Sequence, residues 1–252
     1  MTSLEAPKNR KILIAAGDSW TDDNYYSIYH ADMDCSFPKW PELLAEKLDM
    51  DYMNLGKMGS GNEYIFANFL DKLQEINTDD IGLVLVGWTQ AHRKDYKVGK
   101  VWQHNTRCRE RLNNNIYGDD LWRVKESIVI YYSLQEICKS NNIPFKQFQM
   151  IPMFEDLMFT NPAHLDNHVW LKYIDSLLHT IYDSPFFDKL NESFIGWPTE
   201  HAIGGYNFDK GVVDYINNPT LQISELDYHP NALGQKKIAD HLYENIYNMR
   251  EK

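Results

Sequence analysis

The sequence lacks three features that would assign it to large classes of protein. No apolar run among its 252 residues approaches the roughly 20 residues needed to cross a bilayer. Residues 1–11 are polar, with Pro7 among them, so we expect no signal peptide. Basic residues are scattered and outnumbered, with 25 Lys and Arg against 36 Asp and Glu and a formal net charge of −11. Because such a chain repels phosphate backbones, we expect that it does not bind nucleic acid. Without a signal peptide or a membrane span, we expect a soluble, cytoplasmic protein that does not bind membranes.

Cysteine is also scarce, and its spacing argues against two kinds of site. Cys35, Cys108 and Cys138 are odd in number and widely separated, with no Cys-x-x-Cys pair. We therefore expect reduced thiols, without disulfides or a zinc-thiolate site. His164 and His168 have the four-residue spacing of zinc-binding helices, but no third ligand accompanies them. The sequence predicts no metal site and no cofactor.

Internal repeats and linkers rich in proline, glycine or serine are absent, so we expect a single domain over residues 11–252 after a flexible segment, 1–10. Within it, short apolar strands alternate with amphipathic helices, which is typical of a parallel sheet covered on both faces. The strands are predicted at 11–16, 51–55, 81–86 and 145–151, and the helices at 40–48, 63–76, 121–141 and 231–249. The expected fold is a three-layer α/β/α sandwich with a flavodoxin-like parallel sheet of about five strands.

Two long stretches, residues 92–120 and 153–219, do not fit this alternation. We expect them to be loop insertions that form a lid or a wall of the substrate site. They are rich in aromatic residues, most of which we expect to pack in the interior and not to bind substrate: Trp102, Tyr117, Phe154, Phe159, Trp170, Phe186, Phe187 and Trp197.

Serine chemistry is indicated by the two ends of the chain. The first predicted strand stops at Gly17-Asp18-Ser19, and a serine at the end of a strand is a common position for a nucleophile. A serine hydroxyl needs a base, which is usually an imidazole oriented by a carboxylate. His229 and Asp227, just before the last predicted helix, supply both groups. Glu225 is the alternative carboxylate, because it also lies on the same side of an extended segment as His229.

These segments resemble the motifs of the SGNH (GDSL-type) esterase and lipase family, in which the serine opens the chain and the Asp and His close it. Residues 54–62, Asn-Leu-Gly-Lys-Met-Gly-Ser-Gly-Asn, resemble the family's glycine block. Two positions depart from the family pattern. Gly87-Trp88-Thr89-Gln90 stands where the family has Gly-x-Asn-Asp, and Leu226 stands where it commonly has Asp. The glycine block also looks somewhat like that of esterases from bacteria and tailed phages, so a phage-encoded origin stays open.

The segments that follow successive predicted strands are expected to converge, because open α/β sheets build their sites at the carboxyl ends of the strands. These positions are Ser19, Gly59, Gln90 and Pro152. The resemblance implies that the backbone N–H groups of Ser19 and Gly59 bind the oxyanion, with Gly61 as the second choice for the glycine. The side-chain amide of Asn62 or, more weakly, Gln90 would replace the missing asparagine, although Asn62 could equally cap the helix that follows. Candidate substrate-binding residues are Asp18, Trp88, Thr89 and Arg93.

The resemblance implies a carboxylic ester hydrolase that acts through an acyl-enzyme. Its expected partner is a small-molecule or glycan ester with a short acyl group, such as an O-acetylated sugar. Two alternatives stay open: an acyltransferase with the same triad, and an inactive glycan-binding or virion-associated module that has kept the fold. The sequence leaves the oligomeric state undetermined.

Overall fold

A computed structural model describes residues 10–105, 119–151, 153, 167–190, 193–195, 197 and 218–247. The strands are β1 (Ile12–Ala16), β2 (Asp51–Asn54), β3 (Ile81–Trp88), β4 (Lys94–Val98), β5 (Val101–Asn105), β6 (Phe145–Gln149) and β7 (Phe194–Ile195). The helices are α1 (Trp40–Leu48), α2 (Asn62–Leu73), α3 (Asp120–Ser140), α4 (Asn167–Tyr182), α5 (Phe187–Leu190) and α6 (Ala232–Tyr247).

Five of the strands form one sheet in the order β2-β1-β3-β6-β7, and every neighbouring pair is parallel. In the register of the central strands, Ile14 of β1 lies between Met53 of β2 and Val84 of β3. Because all strands run in one direction, the segments that follow β1, β2 and β3 begin at the same edge of the sheet. This arrangement confirms the predicted parallel sheet.

The sheet has an apolar layer on each face. Successive side chains of a strand point to opposite faces, so Ile14 and Ala16 belong to one buried cluster and Leu13 and Ala15 to the other. The first cluster takes in side chains of α2 and α3, namely Ile65, Phe69, Val124, Ile128, Tyr131 and Leu134. The second takes in side chains of α1 and α6, namely Trp40, Leu44, Ile238, Ala239 and Leu242. The three-layer α/β/α fold is therefore confirmed.

The predicted helices and strands recur with small changes of length. Helix α1 has the predicted bounds, whereas α2 ends three residues earlier than predicted. Strand β3 continues two residues beyond the prediction, to Trp88, because Gly87 and Trp88 still pair with Phe148 and Gln149 of β6. Strand β3 therefore ends directly before Thr89, where the following loop begins.

The predicted insertions, residues 92–120 and 153–219, contain regular structure in the parts that the structure describes. Residues 94–105 form an antiparallel hairpin, in which Gly99 has the positive φ of +61° that favours glycine. The second stretch contains α4, α5 and the two-residue strand β7, which is too short to leave a pattern in the sequence. Trp197 and Phe187 pack in the core, as expected. Tyr117, Pro152, Phe154 and Phe159 lie outside the described residues.

Within the part of the chain that the structure describes, no helix is long and apolar enough to cross a bilayer. The same residues contain no cluster of three or more side chains that could hold a metal ion. Cys35 and Cys138 are buried free thiols, whereas Cys108 and His164 lie outside the described residues.

Candidate active site

The nucleophile segment is a tight turn directly after β1. The carbonyl of Asp18 accepts hydrogen bonds from the N–H groups of Thr21 and Asp22, at 3.0 and 3.1 Å. Gly17 is required at the start of this turn, since a Cβ there would lie 2.2 Å from Oγ1 of Thr21. The turn leaves Ser19, which is 6% exposed, at the carboxyl edge of the sheet.

A second loop, ahead of α6, carries the acid and the base. Its ends are held together by the bridge between Gln222 and Pro230 and by the hydrogen bond from Ile223 N–H to the His229 carbonyl, at 2.9 Å. At its tip, Ser224 and Asp227 exchange backbone hydrogen bonds of 3.1 and 3.2 Å. This closed turn directs the Asp227 side chain back toward the imidazole only two residues further along the chain.

Ser19, His229 and Asp227 form one hydrogen-bonded series. Oγ of Ser19 lies 2.8 Å from Nε2 of His229, and Nδ1 of His229 lies 2.7 Å from Oδ1 of Asp227. The same Oδ1 accepts the His229 backbone N–H at 3.2 Å. Asp227 is 2% exposed, whereas Glu225 is exposed and, among the described residues, makes neither a hydrogen bond nor an ion pair with His229. Of the two carboxylates that the sequence offered, Asp227 is the one placed against the imidazole.

The Asp227 carboxylate is ionised in this environment. Burial opposes the charge, but hydrogen bonds, of which the one from His229 contributes most, outweigh it and hold the pKa of Asp227 below its usual range. The Tyr25 hydroxyl donates to Oδ2 at 2.7 Å. Burial, together with this contact, raises the pKa of Tyr25. An ionised Asp227 accepts a hydrogen bond from the Nδ1–H group of His229. Nε2 of His229 is then unprotonated and can accept a hydrogen bond from the serine hydroxyl.

The glycine block lies beside Ser19 because its backbone continues the pairing of β1 and β2. Leu55 N–H donates to the Ala15 carbonyl at 2.7 Å, and Lys57 N–H donates to the Gly17 carbonyl at 3.0 Å. Gly59 has a φ of +80°, a conformation that favours glycine. Among the described residues, the N–H groups of Gly59 and Ser19 have no acceptor, and both residues line the same cavity. These two groups are therefore available to a ligand.

The cavity over Ser19 has a volume of about 430 Å³. Polar groups at its base come from Ser19, His229, Gln90 and Arg93. Its remaining walls are mostly apolar or aromatic and include Trp20, Tyr25, Ile28, Tyr29, Met58, Ile151, Leu226 and Tyr228. Several rim side chains, such as those of Tyr29 and Tyr228, are more than half exposed. The site is therefore an open cleft that can admit a small ester.

Known structures share this fold. The psychrotrophic esterase EstA from Pseudoalteromonas sp. matches 96% of this chain and 100% of its own, with a TM-score of 0.51 and 13% sequence identity. The lipase/acylhydrolase from Enterococcus faecalis matches 95% of this chain and 96% of its own, with a TM-score of 0.49 and 13% identity. The chain has an SGNH-type hydrolase fold. No family sequence model matches the chain, and no curated protein matches it in sequence.

In this SGNH-type fold, Asn62 does not take the place of the missing asparagine, so that expectation is corrected. Its side chain is buried and does not line the cavity. The amide nitrogen lies 3.2 to 3.3 Å from the Thr89 carbonyl, Ser127 Oγ and the Tyr131 hydroxyl, and the amide oxygen accepts the Thr89 N–H at 3.0 Å. Asn62 does not cap α2 either. It joins α2 to α3 and to the end of β3.

Three of the four candidate substrate-binding residues are also buried away from the cavity over Ser19, which corrects their prediction. Asp18 and Thr89 are fully buried, and their side chains bond to each other at 2.8 Å. Trp88 lies in the core, where it stacks on Tyr131 and donates to Gln147 at 2.8 Å. Each of these polar groups is held by an interior partner, so none faces a substrate.

Gln90 and Arg93 do line the cavity, as predicted positions of the site. Arg93 Nε donates to the amide oxygen of Gln90 at 2.7 Å, and another guanidinium nitrogen lies 3.2 Å from the buried Asp18 carboxylate. The ion pair with Asp18 balances the charge of Arg93, and the hydrogen bond from Nε turns the oxygen of the Gln90 amide toward Arg93. Gly61 is not an oxyanion donor, because its N–H donates to Asp95 at 2.6 Å.

Sequence reasoning missed two residues that shape the candidate site. Tyr25 contacts both Asp227 and His229, and Asp22 accepts the Met58 N–H at 2.8 Å, which ties the nucleophile turn to the glycine block. The spacing of Tyr25 and Asp22 from Ser19 carries no recognisable signal, since their partners lie on other segments of the chain.

Proposed function

We propose that the protein is a serine esterase that hydrolyses carboxylic esters through an acyl-enzyme on Ser19. The observation that carries this proposal is the hydrogen-bonded series from Ser19 through His229 to Asp227, set at the base of an open cavity. A hydroxyl placed 2.8 Å from an imidazole nitrogen can transfer its proton as it attacks. The similarity of the fold to EstA supports the same reading, at the level of the fold.

In the proposed mechanism, Oγ of Ser19 attacks the ester carbonyl carbon and its proton passes to Nε2 of His229. The tetrahedral oxyanion is held by the backbone N–H groups of Ser19 and Gly59, which lack acceptors among the described residues. Collapse breaks the bond to the alcohol oxygen, which takes the proton from Nε2. Water then repeats the sequence on the acyl-enzyme, releasing the carboxylic acid and restoring Ser19. Asp227 holds the imidazole and stabilises its cationic form.

The proposed substrate is an ester with a short acyl group, such as an O-acetyl group on a glycan. The cavity of about 430 Å³ is small and open, which suits a short acyl group attached to a larger alcohol that remains outside. The exposed tyrosines at the rim, Tyr29 and Tyr228, offer ring faces and hydroxyls to such an alcohol.

Covalent labelling tests the proposal directly. EstA was crystallised inhibited by monoethylphosphonate, and a fluorophosphonate probe reacts with an activated serine in the same way. We expect the probe to label the wild-type protein and not Ser19→Ala, while Ser133→Ala, which changes a partly exposed serine on α3, is labelled like the wild type. An inactive module would leave the wild type unlabelled, and equal labelling of the Ser19 variant would place the nucleophile elsewhere.

Turnover gives the second test. Ser19→Ala should lower nitrophenyl acetate hydrolysis by about three or more orders of magnitude, because only the nucleophile is removed. A residual rate above roughly a tenth of the wild type, in protein free of contaminating esterase, would contradict the assignment.

A further inference from the structure

Tyr25 lies on the nucleophile's own segment but contacts the acid and the base. Its ring stacks on the His229 imidazole, with 4.2 Å between the centroids and 27° between the planes. Its hydroxyl lies 2.7 Å from Oδ2 of Asp227 and 3.0 Å from Nδ1 of His229. The side chain is only 7% exposed. Tyr25 therefore covers one face of the His229 imidazole and hydrogen-bonds Oδ2 of Asp227, whereas His229 hydrogen-bonds Oδ1.

The direction of the Tyr25 hydrogen bond follows from proton counting. The hydroxyl has a single proton, and the ionised carboxylate of Asp227 is an acceptor only. Nδ1 of His229 uses its proton on Oδ1 of the same carboxylate when Nε2 is the acceptor for Ser19. The tyrosine proton is therefore donated to Oδ2, and the carboxylate is hydrogen-bonded through both oxygens.

The backbone fixes where this tyrosine can go. Tyr25 N–H donates to the Asp22 carbonyl at 3.2 Å, and the Asp22 carboxylate accepts the N–H groups of Asn24 and Met58, both at 2.8 Å. Asp22 itself belongs to the turn that presents Ser19. One short segment thus joins the nucleophile turn, the glycine block and the acid–base loop.

We propose that Tyr25 is a positioning residue that sets the proton affinity of His229 by donating a hydrogen bond to Asp227, and that holds the imidazole in line with Ser19 by stacking on it. This inference deepens the proposed esterase function and rests on it for the role of His229 as the base. A donor on Oδ2 draws negative charge away from Oδ1, which weakens the attraction between the carboxylate and a protonated imidazole. Without that donor, the protonated imidazole is favoured up to a higher pH.

Other titratable groups near the imidazole are few in the described part of the chain. The Arg93 guanidinium lines the same cavity, and its charge is paired with Asp18. The pKa of Tyr25 is raised mainly by burial, next by Asp227 and then by Cys35. On the acid–base loop, Tyr228 and Glu225 are exposed, and the Ser224 hydroxyl lies 2.6 Å from Nε2 of His30. All of these side chains remain in Tyr25→Phe, so the comparison with the wild type isolates the lost hydroxyl.

The test compares Tyr25→Phe with the wild type by NMR titration of the histidines, with His229 assigned from the spectrum of His229→Gln. Phenylalanine keeps the stacked ring and removes only the donor. We expect the midpoint of the His229 titration to move to higher pH by about half a unit or more. Tyr182→Phe, which removes a hydroxyl from α4 outside the cavity, should leave the midpoint unchanged. A shift of less than about 0.2 unit in Tyr25→Phe would overturn the proposal.

Kinetics supply the second readout. In Tyr25→Phe, the acidic inflection of kcat/KM should move in the same direction, and kcat should fall about three- to tenfold with KM within about twofold. Tyr25→Leu, which also removes the stacked ring, should lose more. A purely structural tyrosine would lower the melting temperature without moving either midpoint. The NMR titration needs no turnover, so failure of this inference is distinguishable from failure of the esterase proposal, which would appear as absent Ser19-dependent activity in the wild type.

Discussion

The short tether between Asp227 and His229 is unusual for an acid–base pair, since only one residue separates them. The turn from Ser224 to Asp227 resolves the geometry by folding the aspartate back, so that one carboxylate oxygen bonds both the backbone N–H and Nδ1 of the same histidine. Glu225, with a longer side chain, lies exposed on the outside of this turn. At the scale of single residues, the backbone conformation of this turn decides which carboxylate orients His229.

Asp227→Asn should therefore lower kcat by about two or more orders of magnitude, because an amide no longer fixes the imidazole tautomer that Ser19 needs. Glu225→Gln is the matched control and should cost less than about tenfold. Both variants are compared on nitrophenyl acetate at pH 8. The reverse ranking would transfer the orienting role to Glu225, and two silent variants would argue against an active triad.

At the scale of elements, the hairpin of β4 and β5 supports the glycine block from outside the sheet. Asp95 of β4 is buried, and its Oδ2 accepts the N–H groups of Gly61 and Tyr64 at 2.6 and 3.1 Å. These N–H groups flank the first turn of α2, so Asp95 performs from another element the task that a local cap usually performs. Its other oxygen bonds Nδ1 of His104, across the hairpin.

Asp95→Ala should lower the free energy of unfolding by about 1–2 kcal/mol, because the first N–H groups of α2 lose a buried charged acceptor. It should also lower kcat, since Gly59 lies two residues before the helix cap that Asp95 holds. Chemical denaturation and ester turnover measure the two effects. Asp71→Ala, on an exposed position of the same helix, should change neither. Unchanged stability in Asp95→Ala would show that the hairpin does not support α2.

At the scale of the whole molecule, the site joins segments from opposite ends of the chain. Ser19 and His229 are 210 positions apart, and they meet because β1 lies inside the sheet, between β2 and β3, while α6 packs on the face that contains Trp40 and Leu44. The Asp227 carboxylate therefore has its buried surroundings and its hydrogen bond from Tyr25 only in the folded protein. Its ionisation is linked to the stability of the entire domain.

The sign of that linkage predicts a pH effect. The pKa of Asp227 is lowered by folding, after its hydrogen bonds overcome the opposing effect of burial. The stabilisation is present above the unfolded pKa, near 3.9, and is lost as the pH falls through the lower folded value. The difference in melting temperature between the wild type and Asp227→Asn should therefore shrink when calorimetry is repeated at pH 3 instead of pH 7. A constant difference would contradict an ionised Asp227.

Local features of the sequence were sufficient for four strands of the parallel sheet, for the four helices that cover it and for the segments that carry the candidate site, but not for β4, β5, β7, α4 and α5. Apolar runs at 11–16 and 81–86 and the stripes of α1 and α6 are periodic within a few residues, so they show which elements form and which face is buried. Ser19, Gly59, Gln90 and His229 follow predicted strands or precede a predicted helix, and the structure places all of them at one cavity. The sequence by itself therefore determined the fold class and the position of the site within it.

Side-chain direction and long-range pairing were decided only by the tertiary structure. Asn62, Trp88 and Thr89 stand beside site residues in the sequence, but their side chains turn into the interior. They bond there to Ser127 of α3, Gln147 of β6 and Asp18, respectively. Tyr25 and Asp95 reach the site through partners 202 and 34 positions away, respectively. The local pattern of apolar residues indicates whether a segment is a helix or a strand, but it does not indicate which partner each polar side chain bonds. Those partners exist only once the sheet has been assembled, because burial then requires every polar group to find one.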